Sequence, residues 1–196
     1  MTPGLFHRGL RAYARGQARA VAPYIVGRRV LDLGAGEGFV GEMLVRRDSS
    51  TWVCSVDLGR YRAAPGAYVV YDGWRLPFGD AAFDTTLILL ALHHSDEPAT
   101  VLDEALRVTA RRLIVMESVY RNALDRIWLE LLDEPVNRFR HGGRMAPARH
   151  FKPAGSWKAL FASRGLRLAA ESWIGPWWER LVHHPVLLVA DKTGSA

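Results

Sequence analysis

The stretch Val30-Leu31-Asp32-Leu33-Gly34-Ala35-Gly36-Glu37-Gly38 sets three glycines at alternate positions, after an apolar run and before a helical pattern. Without a Cβ the backbone can turn sharply there and approach a ligand closely. Amides exposed at the start of the following helix favour an anionic group. The second apolar run ends at Asp57, 19 residues after Gly38. A carboxylate at such a strand end can accept hydrogen bonds from both hydroxyls of a ribose, the alternative being an exposed loop aspartate. A third run ends at Asp72-Gly73. His93, His94 and Glu117 follow the later runs, and with His150 they are the candidate general bases. For the histidine pair the competing expectation is a turn after the strand, with one ring buried and hydrogen-bonded and the other solvated.

These residues need strands that end together. Arg29–Gly34, Thr51–Asp57, Ala67–Tyr71, Phe83–Leu92 and Arg112–Glu117 read as strands, and Leu166–Trp173 with Pro185–Ala190 as a last pair. Helical periodicity marks residues 5–26, Glu37–Arg47, Pro98–Thr109, Asn122–Asp133 and Ser156–Ser163. Near-continuous apolar strands alternating with helices indicate a parallel sheet covered on both faces. The fold class is therefore α/β: a doubly wound three-layer sandwich whose seven-stranded, mostly parallel sheet has an antiparallel hairpin at one edge. In such a sheet ligands sit beyond the carboxyl ends of the strands, where the strand order reverses.

A chain of 196 residues, 49% hydrophobic and 23% charged, suits one globular domain spanning 1–196. The longest apolar run, Leu87 to Leu92, is strand-sized, so no membrane span is expected, and the N-terminus lacks the apolar core of a secretory signal. A cytoplasmic location is the corresponding expectation. Cys54 is the single cysteine, which leaves no disulfide framework and no cysteine-based zinc cluster; no metal site is expected. The net charge of +6 is uneven: residues 1–31 hold six arginines and residues 135–170 eight basic residues, neither with an acidic one. Only three of the basic residues are lysine, so a general arginine bias is the alternative to a dedicated surface.

Taken together, VLDLGAGEG, Asp57, YDGWRLPFGDAAFD, LALHHSDEP and LDEALRVTARRLIVMES resemble the class I S-adenosylmethionine-dependent methyltransferases, and more narrowly the type 11 group that includes small-molecule enzymes. The resemblance covers residues 25–120. It implies S-adenosylmethionine as cofactor. Gly34, Ala35 and Gly36 would line its methionine end, with Asp32 supporting the loop. Asp57 would hold the ribose, Leu58 would pack on adenine, Asp72 and the amide of Gly73 would read the adenine edge, and the backbone around Leu89 would receive the ammonium. Large aliphatics at Ile88–Leu90, where the group often has small or polar residues, leave carbonyls as the donors' partners there, or shift the position by one.

Several rivals fail on residues. A nicotinamide enzyme needs G-x-G-x-x-G, and the sixth position from Gly34 is Phe39. The fourth strand ends Ala91-Leu92-His93-His94 rather than in the Asn/Asp-Pro-Pro-aromatic sequence of enzymes acting on nucleic-acid amino groups. Cys54 lies in the second strand, away from a carbon-5 cytosine nucleophile, and no acidic pair follows the fourth strand where magnesium-dependent catechol enzymes use one. The expected reaction is metal-independent in-line displacement onto a small acceptor, with RNA or protein methylation as the alternative and an NAD-dependent oxidoreductase or non-catalytic cofactor-binding protein as a further one. Residues 1–28 would form a helical cap and 135–155 a lid over the acceptor, and arginines in that lid would favour an anionic acceptor. Trp173, Trp177 and Trp178 would line this pocket or belong to the core. Nucleic acid is disfavoured as a partner because no recognisable RNA-binding module accompanies the domain.

Overall fold

In the computed structural model of the protein, residues 3–131, 150–175 and 184–193 are described. Five apolar runs become strands: β1 (Arg29–Leu33), β2 (Trp52–Asp57), β3 (Ala67–Val70), β4 (Phe83–Leu89) and β5 (Thr109–Val119). With β6 (Leu166–Trp173) and β7 (His184–Lys192) they form one sheet of order β3-β2-β1-β4-β5-β7-β6. The first five run parallel, and β7 is antiparallel to both of its neighbours. The order turns back between β1 and β4.

The pleat sends successive side chains to opposite faces, and both faces are covered. Leu31 and Leu33 pack with Leu102 and Ala105 of α3 (Pro98–Val108) and with Trp157 and Phe161 of α5 (Ala154–Ala162). Val30, Leu87, Leu89 and Ile114 face the other layer, α1 (Pro3–Val21) and α2 (Phe39–Arg47), through Ala14, Ala18, Phe39, Val40 and Leu44. A helical segment over 123–131 (α4) follows β5. The three-layer doubly wound architecture and its antiparallel β6–β7 hairpin agree with the sequence reading.

Two boundaries differ from it, each for a physical reason. β4 stops at Leu89 although the apolar run continues to Leu92, because Leu90 takes a left-handed backbone (φ 58) and Leu92–His94 form a 3-10 turn. β5 is longer than Arg112–Glu117 because β7 supplies partners along most of its length, from Arg112↔Asp191 to Val119↔His184. The N-terminal helix belongs to the layer beside α2, with Ala14, Ala18 and Val21 buried in its core. It seats on α2, where the Arg11 guanidinium pairs with Glu42 at 2.7 Å and lies 4.5 Å from the Phe39 ring centre. The connection from Pro176 onward and most of the 135–155 lid, as well as Trp177 and Trp178, lie outside the described residues.

Candidate functional site

Beyond the carboxyl ends of β1–β4, where the strand order reverses, lies a cavity of about 380 Å³. Gly34 from β1, Asp57 and Leu58 from β2, Asp72, Gly73 and Trp74 after β3, and Leu90, Ala91 and His94 after β4 line it. Ser95, Asp96, Glu97, Thr100 and Val101, around the start of α3, complete the far wall.

The glycine loop is held by the strand beside it. The amides of Gly34 and Ala35 both donate to the Val56 carbonyl, at 2.8 and 3.1 Å. Gly34 is left-handed (φ 77), and a Cβ there would stand 2.4 Å from the Cβ of Ala91. Only glycine meets both conditions. Gly38, at the N-cap of α2, offers no capping side chain. Asp32 compensates from the sheet beneath: its buried carboxylate takes the amide of Gly41, the third residue of that helix and the usual target of a capping side chain. Burial, then the charge of Asp57, pushes the Asp32 carboxyl up to about 7, against the pull of that amide. Its Oδ2 is buried without a hydrogen-bond partner.

Asp57 is only 7% exposed yet reaches the cavity. Oδ2 accepts the Gly36 amide and Oδ1 that of Leu58, both at 2.7 Å. Burial raises its pKa while these amides oppose the rise. The amide of Gly59 also bears on the carboxylate, which leaves part of its acceptor capacity for the cavity. Next to it, the Tyr68 hydroxyl lies 2.9 Å from the Gly36 carbonyl and 3.1 Å from that of Gly59, tying the glycine loop to the segment after β2.

Asp72 caps the next turn: its Oδ1 accepts the amides of Trp74 (2.8 Å) and Arg75 (2.9 Å), which lower its pKa. A Cβ on Gly73 would lie 3.1 Å from the Leu58 side chain, so these two form one continuous wall. Leu58 (59%) and Trp74 (68%) are exposed apolar side chains at the cavity rim. The turn is anchored below by buried Leu76, whose amide donates to Glu104 at 2.8 Å and whose carbonyl accepts from Arg107. Tyr71, also on the wall, is pushed up to about 12 by burial and by the charges of Asp57, Asp72 and Glu104. The cavity lining carries Asp57, Asp72, Asp96 and Glu97 and, among the described residues, no arginine or lysine.

The candidate bases separate sharply. His94 lines the cavity, its ring 4.3 Å from that of His93. His93 is buried, stacked on Phe151 at 4.7 Å, with Nδ1 2.5 Å from Glu117 Oε2. Glu117 is fully buried, and its Oε1 accepts the amides of Ala91 (3.1 Å) and Leu92 (2.8 Å). His150 donates its backbone amide to the His93 carbonyl and does not line the cavity. Leu89 ends β4 and does not itself line the cavity. Its side chain sits in the core under α1 and α2, while Ile88 and Leu90 reach the cavity. A non-glycine residue in the left-handed region costs on the order of 1–2 kcal/mol, so the Leu90 turn must be held from outside.

Asp32, Ala35 and Gly36 stand behind the wall rather than on it, shaping the loop that Gly34 presents. Tyr61, Tyr71, Trp74, Asp96, Glu97, Thr100 and Val101 line the cavity without having been singled out from the sequence. Their common signal is position, directly after a strand end or at the start of α3. Cys54 is buried in β2 with its thiol pushed up to about 11, mainly by burial, as fits a packing role. Among the described residues no three His, Cys, Asp or Glu side chains are disposed to hold a metal ion. Nor is any described helix long and apolar enough to cross a membrane.

The methyltransferase-domain family of type 11 matches residues 31–114. A demethylmenaquinone methyltransferase of Mycobacterium sp. (strain KMS) is 30% identical over 177 residues, covering 84% of this chain and 75% of that protein. The chain belongs to the class I S-adenosylmethionine-dependent methyltransferases. A malonyl-[acyl-carrier protein] O-methyltransferase of Halorhodospira halophila (strain DSM 244 / SL1) is 35% identical over 145 residues, 64% of this chain and 49% of that one. The match spans about half the length of the first such relatives, 47% and 49%. In structure, a geranyl diphosphate methyltransferase in complex with S-adenosylmethionine superposes with a TM-score of 0.72 at 15% identity, covering 91% of this chain and 85% of the other. That likeness establishes the methyltransferase fold. The cofactor of this family is S-adenosylmethionine.

Proposed function

We propose that the protein transfers the methyl group of S-adenosylmethionine to a small-molecule acceptor by metal-independent in-line displacement. One observation carries the reading. The buried Asp57 carboxylate, held by the amides of Gly36, Leu58 and Gly59, reaches the cavity at the strand end beside the glycine loop, where its remaining acceptor capacity would take a ribose hydroxyl. The remaining wall suits the rest of the cofactor. Leu58, Asp72, Gly73 and Trp74 would hold the adenine, and Gly34 with the backbone at Leu90 would hold the methionine end. Asp32, Ala35 and Gly36 would fix the loop from behind. The close approach of Gly34 and Ala91 would be filled by any side chain at position 34.

When bound, S-adenosylmethionine supplies a methyl group already activated on a positively charged sulfur. The chain then has to align an acceptor and exclude water, which can lower a barrier by roughly 7–11 kcal/mol. The acidic wall complements a cationic cofactor electrostatically. His94 is the candidate proton acceptor, because it faces the cavity where Glu117, His93 and His150 do not. Its ring nitrogen would take a proton from the acceptor as the new bond forms, a contribution of ~10²–10⁴-fold. The names of the relatives suggest the acceptor class, a quinone-type ring or a carboxylate carried on a small molecule or carrier. The anionic option rests on arginines 138, 140, 144 and 149, outside the described residues, since the described lining holds no arginine or lysine.

Transfer of labelled methyl from S-adenosylmethionine tests the proposal, with hydroquinones and small carboxylates set against bulk RNA and bulk protein. Label entering a small-molecule pool supports it, and label entering only RNA or protein overturns it. His94→Gln is expected to lower turnover at least ~100-fold while leaving cofactor affinity within about fivefold.

A further inference from the structure

We propose that Glu117 is a positioning residue, which holds the left-handed turn after β4 and thereby the wall against which the glycine loop closes. Three bonds converge on this buried carboxylate: the amides of Ala91 and Leu92 on Oε1, and His93 Nδ1 on Oε2. A fourth restraint comes from the same strand, since Leu90 donates its amide to the Met116 carbonyl at 2.7 Å. Between them the end of β5 binds every residue from 90 to 93. Leu90 holds this turn in a backbone conformation (φ 58) that leucine avoids. A turn of that kind persists only when its surroundings over-determine it, and Glu117 supplies most of what determines it.

The consequence reaches the ligand cavity through contact. Leu90, Ala91 and His94 line the cavity, and the Ala91 methyl occupies the space that any Cβ on Gly34 would need. Were Glu117 to release Ala91 and Leu92, the strained Leu90 would relax toward an extended strand. Ala91 would then move against or away from the glycine loop. His93, stacked on Phe151 and linked to the His150 amide through its carbonyl, carries the same restraint to the segment from 150 onward. Glu117 is therefore not a base. It has no face on the cavity, and its oxygens are committed to groups of the turn.

The inference rests on the cofactor reading above, and the experiment separates the two. Amide hydrogen exchange at residues 91 and 92, together with calorimetric titration of S-adenosylmethionine, is measured on the wild type, Glu117→Gln, Glu117→Ala, Leu90→Gly and Glu117→Ala/Leu90→Gly. Glutamine keeps a carbonyl for both amides and an NH₂ that can donate to an unprotonated His93 nitrogen. It should keep exchange and affinity within about fivefold of wild type and preserve the pH profile of turnover. Alanine should speed exchange at 91 and 92 and weaken the cofactor at least tenfold. Glycine at 90, at ease in the left-handed region, should recover at least threefold of that loss in the Glu117→Ala background. Three results overturn the proposal: wild-type exchange rates in Glu117→Ala, simple additivity of Leu90→Gly and Glu117→Ala, or loss of turnover and its pH dependence in Glu117→Gln with cofactor affinity intact. If Glu117→Ala does not fold, the glutamine variant decides between positioning and acid–base roles. Should the wild type bind no S-adenosylmethionine, the functional reading falls, and the exchange rates alone judge the turn.

Discussion

Asp32 gives the site a measurable pH signature in stability. Its carboxyl is sealed between the sheet and α2, has one oxygen without a partner, and is pushed up to about 7 by burial and by Asp57. In the unfolded chain the same group ionises near 3.8. Between these two values the folded state holds a proton that the unfolded state has lost. Stability due to Asp32 therefore falls as pH rises from about 4 to 7, with the full penalty present above about 7 and none below about 4. A separation of about three pH units, at about 1.4 kcal/mol each, sets a ceiling near ~4 kcal/mol. The substitution Asp32→Asn keeps the shape and a carbonyl for the Gly41 amide, and it removes the charge at every pH. Urea unfolding of wild type and Asp32→Asn at pH 4, 6 and 8 isolates the effect, because paired carboxylates such as Asp84 and Glu104 titrate alike in both proteins. Asp32→Asn should match wild type at pH 4 and exceed it by roughly 2–4 kcal/mol at pH 8. A variant that is less stable at pH 8, or a difference that does not change with pH, would refute the reasoning.

Gly34→Ala should cost at least ~2 kcal/mol of stability, from left-handed strain and from the clash with Ala91, and should abolish cofactor binding by calorimetry; a folded variant with wild-type affinity would count against the loop as the binding element. Trp74→Ala should weaken S-adenosylmethionine about three- to tenfold while shifting stability by less than ~0.5 kcal/mol, since the ring is largely exposed, and Trp74→Phe should keep most of the affinity.

The sheet was legible in the sequence because both faces of each central strand are buried. Leu31 and Leu33 pack on one layer and Val30 on the other, which leaves an apolar run interrupted only by Asp32 and closed by Gly34. Asp57 and Asp72 were legible by position, Asp57 closing β2 and Asp72 following β3 by two residues. Boundaries set by a distant partner were hidden. Nothing local in Leu89-Leu90-Ala91-Leu92 announces that the strand stops, since the stop is imposed by Glu117 on a neighbouring strand 25 and more residues away. For the same reason Glu117 reads as a strand-end base in sequence and as the anchor of a turn in structure. The position of α1 was also hidden. Nothing in its run of arginines announces that Arg11 pairs with Glu42 of α2. The far wall escaped because Asp96, Glu97 and Thr100 resemble any polar start of a helix until α3 is seen to abut the glycine loop's cavity.

The central claim is that this strand-end cavity binds S-adenosylmethionine through Asp57, and calorimetric titration of the wild type and Asp57→Ala with S-adenosylmethionine, its demethylated product and NAD tests it most directly. The account predicts one saturable site for S-adenosylmethionine and its product, no heat of binding with NAD, and at least a tenfold loss of affinity in Asp57→Ala, equivalent to more than ~1.4 kcal/mol. Saturable binding of NAD with no response to S-adenosylmethionine, or an Asp57→Ala protein that binds S-adenosylmethionine as tightly as wild type, would contradict it.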